Sequence, residues 1–254
     1  MSAIPTLTYV GDQALLVEFG NSIDIKINNK VSNLMVQLEQ SQEDWIVDLV
    51  PSYKSLLVIF NPALSGRKLI ETYLLELAEN LGQTDASADR LIQIPTLYGA
   101  DFGIDLDFVA KNSKLSIEEV ISLHSEPEYR VYMIGFAPGF PYLGGLNEKL
   151  TTPRLETPRL KIPAGSVGIA ESQTGIYPND SPGGWQLIGR TPLNLFDPNR
   201  EDPSLLIAGD YMKFKPLESP EEYSDIKSDI ESNNYKLEIS TLYRQEDNEP
   251  EHHE

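Results

Sequence analysis

The sequence predicts an α+β protein, with a small α/β sandwich at the N-terminus followed by a β-barrel. In residues 1–82, two amphipathic helical patterns alternate with strand-length apolar runs, an order typical of a ferredoxin-like sandwich with one extra strand. Residues 130–195 instead hold ten of the 17 glycines and eight of the 18 prolines. Turn residues at this density, between short apolar runs, predict many short strands joined mostly without helices, as in a closed or nearly closed barrel.

The elements of the first domain, residues 1–82, are predicted from apolar periodicity. Residues 7–10 and 14–19 are apolar runs of strand length on either side of a short turn. A helix is predicted to start at Ser22, which can cap it, and to run to Leu38, because its apolar residues recur with a period of 3.6. Two further strands and a second helix complete this domain, at residues 45–50, 55–60 and 67–81.

The second domain is predicted to occupy residues 91–216, after a polar linker at residues 83–90 that lacks apolar periodicity. Residues 91–95 either complete the first sheet or open this second domain. A capping-box pattern at Ser116 predicts a short helix that ends near residue 125. Residues 205–215 are predicted to form a last pair of strands.

Residues 217–254 form an acidic C-terminal extension, with twelve acidic and three basic side chains. Proline at position 220, just after a serine, predicts the first turn of a helix that runs to about residue 232. Residues 235–240 alternate in polarity like an edge strand. Beyond about residue 244 the tail has no apolar area to offset its ordering entropy, so we predict disorder there.

Composition excludes several classes of function. The chain has 39 acidic and 20 basic residues and a net charge of −19, so we expect no binding to nucleic acid or to anionic membranes. No apolar run approaches the roughly 20 residues that span a bilayer. The N-terminus lacks a signal-peptide pattern, and the chain has no cysteine, which fits a cytoplasmic protein. With His252 and His253 in the acidic tail, we expect no metal site.

Positive charge is concentrated locally. Residues 130–195 carry six basic and four acidic side chains in this otherwise acidic chain, which favours an anionic ligand or partner nearby. Arg190 follows a glycine at the predicted end of a strand, where its guanidinium suits bidentate binding of a carboxylate or phosphate. The alternative is a structural ion pair that joins two turns.

Three motifs in this stretch carry a family resemblance. They are GFAPGFPYLGG at residues 135–145, IPAGSVG at residues 162–168 and PGGWQLIGRTP at residues 182–192. In this order they resemble the family that contains the B subunit of 5-oxoprolinase, the kinase inhibitor KipI and allophanate hydrolase subunit 1. The resemblance extends over about residues 94–214. This chain departs from the family at residues 96–103, which lack the family's cysteine and paired glycine, so no role of those residues is carried over.

The resemblance implies a cyclophilin-like barrel and an enzyme that is assembled from several different proteins. The reaction that the resemblance implies opens the lactam of 5-oxoproline to glutamate while ATP is hydrolysed. The implied partners are a KipA-like protein, the C-type component of the enzyme, and a LamB/YcsF-like protein, the A-type component, with ATP held with or by a partner. No Walker-type phosphate loop occurs in the sequence, so we expect the chain to be inactive alone.

The candidate site residues follow from these motifs and from the local charge. The predicted substrate-binding residues, most of them in the glycine-rich and basic turns, are Arg190, Gln186, Gly183, Gly184, Trp185, Ser166, Arg154 and Arg159. Arg190, His124 and Glu128 are the candidates for catalysis, with Glu128 placed to orient His124. The alternatives are a core or interface position for Trp185 and a structural role for His124.

A partner interface is predicted in the proline-rich and glycine-rich loop at residues 135–145. Aromatic residues dominate protein interfaces, and this loop carries three of them. The predicted interface residues are Phe136, Pro138, Phe140, Pro141 and Tyr142. The alternative is that the loop folds back and fills its own barrel mouth.

The same motifs leave two other functions open. One is a KipI-like protein that inhibits a sporulation-type histidine kinase by binding it, without catalysis. The other is a component of a urea carboxylase or allophanate pathway. The sequence alone does not separate these from the oxoprolinase hypothesis.

Overall fold

The computed structural model of the protein describes residues 5–81 and 89–242. Its strands form a four-stranded sheet, an eight-stranded sheet and a two-stranded ribbon. The predicted linker lies outside the described residues except for residues 89 and 90, and the predicted disordered tail lies outside them entirely. None of the helices in the described part has both the length and the apolar character that crossing a bilayer requires.

The N-terminal unit packs two helices against a four-stranded antiparallel sheet. In chain order its elements are β1 Thr6–Tyr9, β2 Ala14–Glu18, α1 Ile25–Ser41, β3 Ile46–Pro51, β4 Ser55–Phe60 and α2 Arg67–Glu79. The sheet order is β1-β2-β4-β3, with each neighbouring pair antiparallel. The edge strand beside β2 is β1, which precedes both helices. The strand that follows α2 along the chain does not join this sheet but belongs to the eight-stranded one.

Helix α1 begins two residues later than predicted. The Asp24 carboxylate accepts hydrogen bonds from the backbone N–H groups of Lys26 and Ile27, so Asp24 is the N-cap and the expectation for Ser22 is wrong. Apolar side chains at helical spacing, with Leu34 fully buried, pack against the sheet as the 3.6-residue period predicted.

The second unit is a nearly closed β-barrel. Its strands are β5 Asp89–Tyr98, β6 Tyr129–Ile134, β7 Pro141–Gly144, β9 Ser166–Ala170, β10 Gln173–Ile176, β12 Gln186–Arg190, β13 Tyr211–Pro216 and β14 Ile239–Leu242. The order is β10-β9-β12-β5-β13-β6-β7, and β14 pairs with β5. The end strands β10 and β7 lie against each other, which brings the sheet almost to closure. Strands β8 Arg159–Ile162 and β11 Ser181–Gly183 form the separate ribbon.

Three helices accompany the barrel: α3 Leu106–Ser113, α4 Ile117–Ser125 and α5 Pro220–Glu231. The capping box of α4 is present, with Ser116 and Glu119 each bonded to the backbone N–H of the other. Helix α3 was not predicted, because eight residues give barely two helical turns and too little periodicity to recognise.

Two predicted barrel elements differ in the structure. Residues 205–215 give one strand, β13, because residues 205–210 make a turn in which Asp210 accepts a hydrogen bond from the Ile207 N–H. The predicted edge strand at residues 235–240 starts later, as β14 at Ile239. Residues 91–95 lie in strand β5, which belongs to the barrel sheet. They therefore open the second unit and do not complete the first sheet.

Polar contacts join the two units. The buried side chain of Asn28 on α1 accepts a hydrogen bond from Arg130 Nε of strand β6 at 3.2 Å. The Tyr53 hydroxyl, on the turn between β3 and β4, accepts from Gln173 Nε2 of β10 at 2.7 Å. Burial raises the pKa of Tyr53 to about 12. The sandwich therefore rests on the β6 and β10 side of the barrel.

Candidate functional site

Arg190 and Ser166 stand opposite each other on neighbouring strands of the barrel. Arg190 ends β12 and Ser166 begins β9, and the two are direct partners in the antiparallel ladder. Opposed residues of an antiparallel pair project to the same face of the sheet. Within the described residues, the buried Arg190 Nε and the buried Ser166 Oγ have no hydrogen-bond partner. Two unsatisfied donors thus lie at one end of the barrel.

The loop after β5 supplies one wall of this site. The Arg190 guanidinium carbon lies 5.5 Å from the centre of the Phe102 ring, a cation–π distance. Its Nη2 is 3.5 Å from the carbonyl oxygen of Asp101, too long for a strong hydrogen bond. The loop turns through positive φ angles at Gly99 (73°) and Ala100 (45°). Backbone of this kind favours glycine and indicates a tightly constrained turn.

At Gly103 the backbone of this loop packs directly against strand β12. A Cβ atom at this position would lie 2.0 Å from the carbonyl oxygen of Ile188, so any side chain would push the two segments apart. Gly165 plays the same part at the start of β9, where an added Cβ would lie 2.2 Å from the Thr191 carbonyl oxygen. Both glycines keep the walls of the site close to Arg190.

Helix α5 adds a second aromatic side chain beside Phe102. The Tyr223 ring lies 4.7 Å from the Phe102 ring, and its hydroxyl is 3.4 Å from the carbonyl oxygen of Thr191. Burial raises the pKa of Tyr223, and the nearby charge of Arg190 opposes that rise. Tyr223 and Phe102 were not among the predicted site residues. The only sequence signal for Phe102 was the departure from the family pattern at residues 96–103, and no signal pointed to Tyr223.

A second basic group lies nearby but is paired. Lys161 Nζ is 2.8 Å from Asp180 Oδ2, and Asp180 Oδ1 accepts a hydrogen bond from the Ala164 N–H. Lys161 and the Ala164 N–H lower the pKa of the Asp180 carboxyl, and the charge of Arg190 adds to this effect. Arg190, Lys161 and Asp180 together leave one net positive charge here.

Arg159 is engaged in a structural ion pair. Its Nη2 lies 2.7 Å from Asp105 Oδ1, and its Nη1 donates to the carbonyl oxygen of Trp185. The other carboxylate oxygen of Asp105 accepts from the Leu187 N–H at 2.7 Å. The group ties the β8–β11 ribbon, the start of α3 and β12 together. Arg154 is exposed on the surface.

The glycine-rich run before β12 is packed rather than open. Trp185 is 9% exposed and lies against Phe140 and Tyr177. Gln186 is buried and donates to the Pro153 carbonyl oxygen. A Cβ on Gly183 would lie 2.4 Å from the Tyr177 hydroxyl, whereas Gly184 has room for one. These predicted substrate-binding residues thus lie in a tightly packed cluster apart from the Arg190–Ser166 pair.

His124 lies in the barrel interior with both ring nitrogens bonded. The Tyr98 hydroxyl lies 2.8 Å from Nδ1, and Nε2 lies 2.8 Å from Thr174 Oγ1. Since Thr174 Oγ1 donates to the Gly168 carbonyl, the network assigns the proton of His124 to Nε2. Burial lowers the pKa of His124 to about 3, so the imidazole is neutral at physiological pH. The Glu128 side chain is exposed. This arrangement is that of a structural histidine.

The predicted partner loop divides between surface and core. Phe136 is 76% exposed and Pro138 is also exposed, whereas Phe140 is 3% exposed and Pro141 is buried. The Phe140 ring makes edge contacts with Trp185, Tyr177 and the half-buried Tyr142. Phe140 is therefore not exposed before binding: its ring packs in a separate apolar cluster with Ile162, Tyr177 and Trp185, as in the alternative in which the loop folds back. Phe136 and Pro138 remain as the surface part of the predicted interface.

Comparison with known proteins places this arrangement in a family. Residues 5–206 match the carboxyltransferase domain, subdomain C and D. The B subunit of the 5-oxoprolinase of Bacillus subtilis (strain 168) is 43% identical over 219 residues, which cover 81% of this chain and 90% of that protein. The corresponding protein of Haemophilus influenzae is 51% identical over 175 residues, covering 69% and 81%. The chain belongs to the family of 5-oxoprolinase B subunits.

A solved structure shows how widely the fold of this family extends. The urea carboxylase of Kluyveromyces lactis superposes with a TM-score of 0.77 over 94% of this chain and 24% of that one. At 23% identity this likeness shows the fold alone.

Helix α5 and strand β14 lie beyond the residues that match the carboxyltransferase family model. Tyr223 therefore reaches the site of this family member from outside that model. Within residues 5–81 and 89–242, no three histidine, aspartate or glutamate side chains are grouped to hold a metal ion.

Proposed function

We propose that this chain is the B-type component of an ATP-dependent 5-oxoprolinase, which opens 5-oxoproline to glutamate together with a KipA-like and a LamB/YcsF-like partner. The observation that carries the proposal is the Arg190–Ser166 pair, whose donors are buried and unpartnered in the described chain. Membership of the family of 5-oxoprolinase B subunits supplies the reaction. We also propose a cytoplasmic location, since the reaction consumes ATP.

The proposed reaction needs donors for anions. A lactam resists hydrolysis, and transfer of a phosphoryl group to its oxygen makes its carbonyl carbon a better electrophile. Both the phosphoryl group and the carboxylate of 5-oxoproline carry negative charge, which fixed N–H and O–H donors stabilise. We propose that the Arg190 guanidinium and the Ser166 hydroxyl, whose Nε and Oγ have no hydrogen-bond partner among the described residues, bind one such oxyanion together.

The complete site is proposed to form with a partner. We propose that ATP is held with or by a partner protein, because no phosphate loop occurs in this sequence. Phe136, 76% exposed, and the neighbouring exposed Pro138 form the proposed contact with the KipA-like partner. Exposed aromatic side chains on a rigid loop are typical anchors of protein interfaces. The buried ring of Phe140 holds this loop in place from below.

One observation also favours a binding role without catalysis. The exposed Phe136 suits any protein partner, including a histidine kinase of the kind that KipI inhibits. A role in a urea pathway is favoured less, since the likeness to urea carboxylase is distant, at 23% identity.

Coexpression with the KipA-like and LamB/YcsF-like partners tests the proposal. The purified complex is expected to release ADP in a 5-oxoproline-dependent manner and to form glutamate, whereas this chain alone is expected to do neither. Urea with bicarbonate, in place of 5-oxoproline, is the matched substrate control. An assembled complex that responds only to urea, or to neither substrate while the chain inhibits a histidine kinase, would overturn the oxoprolinase assignment.

A further inference from the structure

We infer that helix α5 is a displaceable cover over the Arg190 pocket, and that Tyr223 is the side chain an incoming oxyanion must move. The inference rests on the proposed function for the chemistry of the ligand, an oxyanion such as a phosphate or a carboxylate. The Tyr223 ring packs against the Phe102 ring at a tilt of 58°, with 4.7 Å between the ring centres, and the Phe102 ring in turn lies over the Arg190 guanidinium. Both rings are half-buried, and the charge of Arg190 acts on the Tyr223 hydroxyl.

A buried hydrogen-bond donor of Arg190 has no partner in the part of the chain that the structure describes. Arg190 Nε is inaccessible to solvent and lacks a hydrogen-bond partner among the described residues. A buried and unpaired donor raises the free energy of the state that contains it, all the more when the group is charged. When Tyr223 moves away, water or a ligand oxygen can reach this donor. The closed arrangement is therefore less stable than its ring contacts alone would make it.

Helix α5 is also lightly docked. None of its twelve residues is buried, and only Tyr223, Ile226 and Ile230 are even half-buried. The hydrogen bond from the Tyr223 hydroxyl to the Thr191 carbonyl is long, at 3.4 Å. Elements with few buried apolar contacts open locally at low free-energy cost. The helix can thus leave the pocket while the barrel stays folded.

Both ends of the cover are held in place. Before the helix, the buried residue Leu217 donates its N–H to the Thr96 carbonyl on β5 at 2.9 Å. After the helix, strand β14 pairs along the other edge of β5. Motion is therefore limited to the segment between these two fixed points, which keeps the helix next to the pocket after it opens.

The charge of α5 opposes anion binding in the closed state. Its sequence, PEEYSDIKSDIE, contains five acidic residues and one lysine. An acidic helix beside Arg190 lowers the positive potential that an anion would meet. Both the position and the negative charge of the helix therefore oppose anion binding. Displacing the helix is expected to strengthen the binding of anions.

Calorimetric titration of the full chain with inorganic phosphate, ADP and 5-oxoproline tests this inference. Tyr223→Ala is expected to bind its anion about tenfold more tightly than the wild type, as for a cover closed about 90% of the time. The ligand among ADP and 5-oxoproline that gains affinity identifies the oxyanion as phosphate or carboxylate. Tyr9→Ala, an exposed tyrosine of the sandwich, is the matched control and is expected to show no gain.

A second measurement follows the helix itself. Amide hydrogen exchange in residues 221–231 is expected to speed up when the anion is added to the wild-type chain. Adding Arg190→Gln to Tyr223→Ala is expected to remove the gain in affinity, which assigns the gain to this pocket.

The failures of the two proposals are distinguishable. Weaker anion binding by Tyr223→Ala, or slower exchange in the helix with ligand bound, would make Tyr223 a ligand contact and overturn the cover while leaving the anion site. Absence of binding by every variant to all three anions would overturn the Arg190 anion site and the cover together.

Discussion

Ser166 and Arg190 are opposed across the β9–β12 ladder, and the described structure gives neither Ser166 Oγ nor Arg190 Nε a hydrogen-bond partner. Buried polar atoms in folded proteins are nearly always paired, so two orphans on adjacent strands call for an explanation. A ligand oxyanion that accepts from both accounts for them. Most other basic groups of this region have partners already, as the Arg159–Asp105 and Lys161–Asp180 pairs show.

Replacing the Ser166 hydroxyl should separate binding from stability. Because Oγ has no hydrogen-bond partner among the described residues, Ser166→Ala is expected to change the free energy of unfolding by less than about 1 kcal/mol. Thr174→Val is the matched control, since its buried hydroxyl bonds both His124 and Gly168. Loss of the Thr174 hydroxyl is expected to lower the free energy of unfolding by roughly 1–3 kcal/mol. Urea denaturation measures both, and a large loss in Ser166→Ala would show a hidden structural bond instead of a ligand site.

Phe140 tests the packing of the apolar cluster that it forms with Ile162, Tyr177 and Trp185. Its ring is 3% exposed and contacts Trp185, Tyr177 and Tyr142, so Phe140→Ala is expected to cost about 3–5 kcal/mol of folding stability through the cavity it leaves. Denaturant midpoints of the isolated chain give this value. A variant as stable as the wild type would mean that the ring is not part of the core.

Phe136 tests the partner surface. It is 76% exposed, so Phe136→Ala is expected to change monomer stability by less than about 0.5 kcal/mol. Because Phe136 is the proposed anchor, Phe136→Ala should weaken association with the KipA-like partner by about 2 kcal/mol, roughly thirtyfold in affinity. Surface plasmon resonance measures the affinity, with the exposed Leu69 of the sandwich changed to Ala as control. Unchanged affinity in the Phe136 variant would place the interface elsewhere.

His124 makes stability depend on pH in a known direction. Burial lowers its folded pKa to about 3 from an ordinary value of 6.5, so between these pH values the unfolded chain binds the extra proton. Its contribution to stability is therefore fully present above about pH 6.5 and falls toward pH 3, with a slope of roughly 1.4 kcal/mol per pH unit.

The slope is measured by urea denaturation between pH 6.5 and 5, where most carboxylates do not titrate. His124→Gln is expected to be less stable overall but to lose this part of the slope, because it has no group that titrates in the range. Equal slopes in the wild type and in His124→Gln would contradict the assignment of the proton to this imidazole.

Local patterns in the sequence were enough to predict much of the fold. The 3.6-residue period of α1, the capping box of α4 and the dense turns before β12 each act over a few residues, and the structure contains the corresponding elements. Helix boundaries were less certain, since Ser22 and Asp24 are both good caps and only the contacts of Asp24 decide between them. Short helices such as α3 give too weak a period to recognise.

The candidate site could be predicted only in part. Arg190 and Ser166 lie in sequence motifs, but their opposition depends on the register of β9 against β12, which no local pattern fixes. Tyr223 and Phe102 meet at the site from positions 121 residues apart. The burial of Phe140 could not be predicted because the same loop composition suits an exposed anchor or a filled barrel mouth, and only the packing against Trp185 decides.

The most direct test of the central claim is the steady-state rate of 5-oxoproline-dependent ADP release by the assembled three-protein complex that carries Arg190→Gln. Loss of a preorganised cationic donor is expected to lower kcat/KM by about 100-fold or more, with assembly intact. Arg67→Gln, on α2 of the sandwich, is the matched control and should keep wild-type activity. An intact Arg190→Gln complex with the wild-type kcat/KM would contradict the assignment of Arg190 as the oxyanion-binding residue.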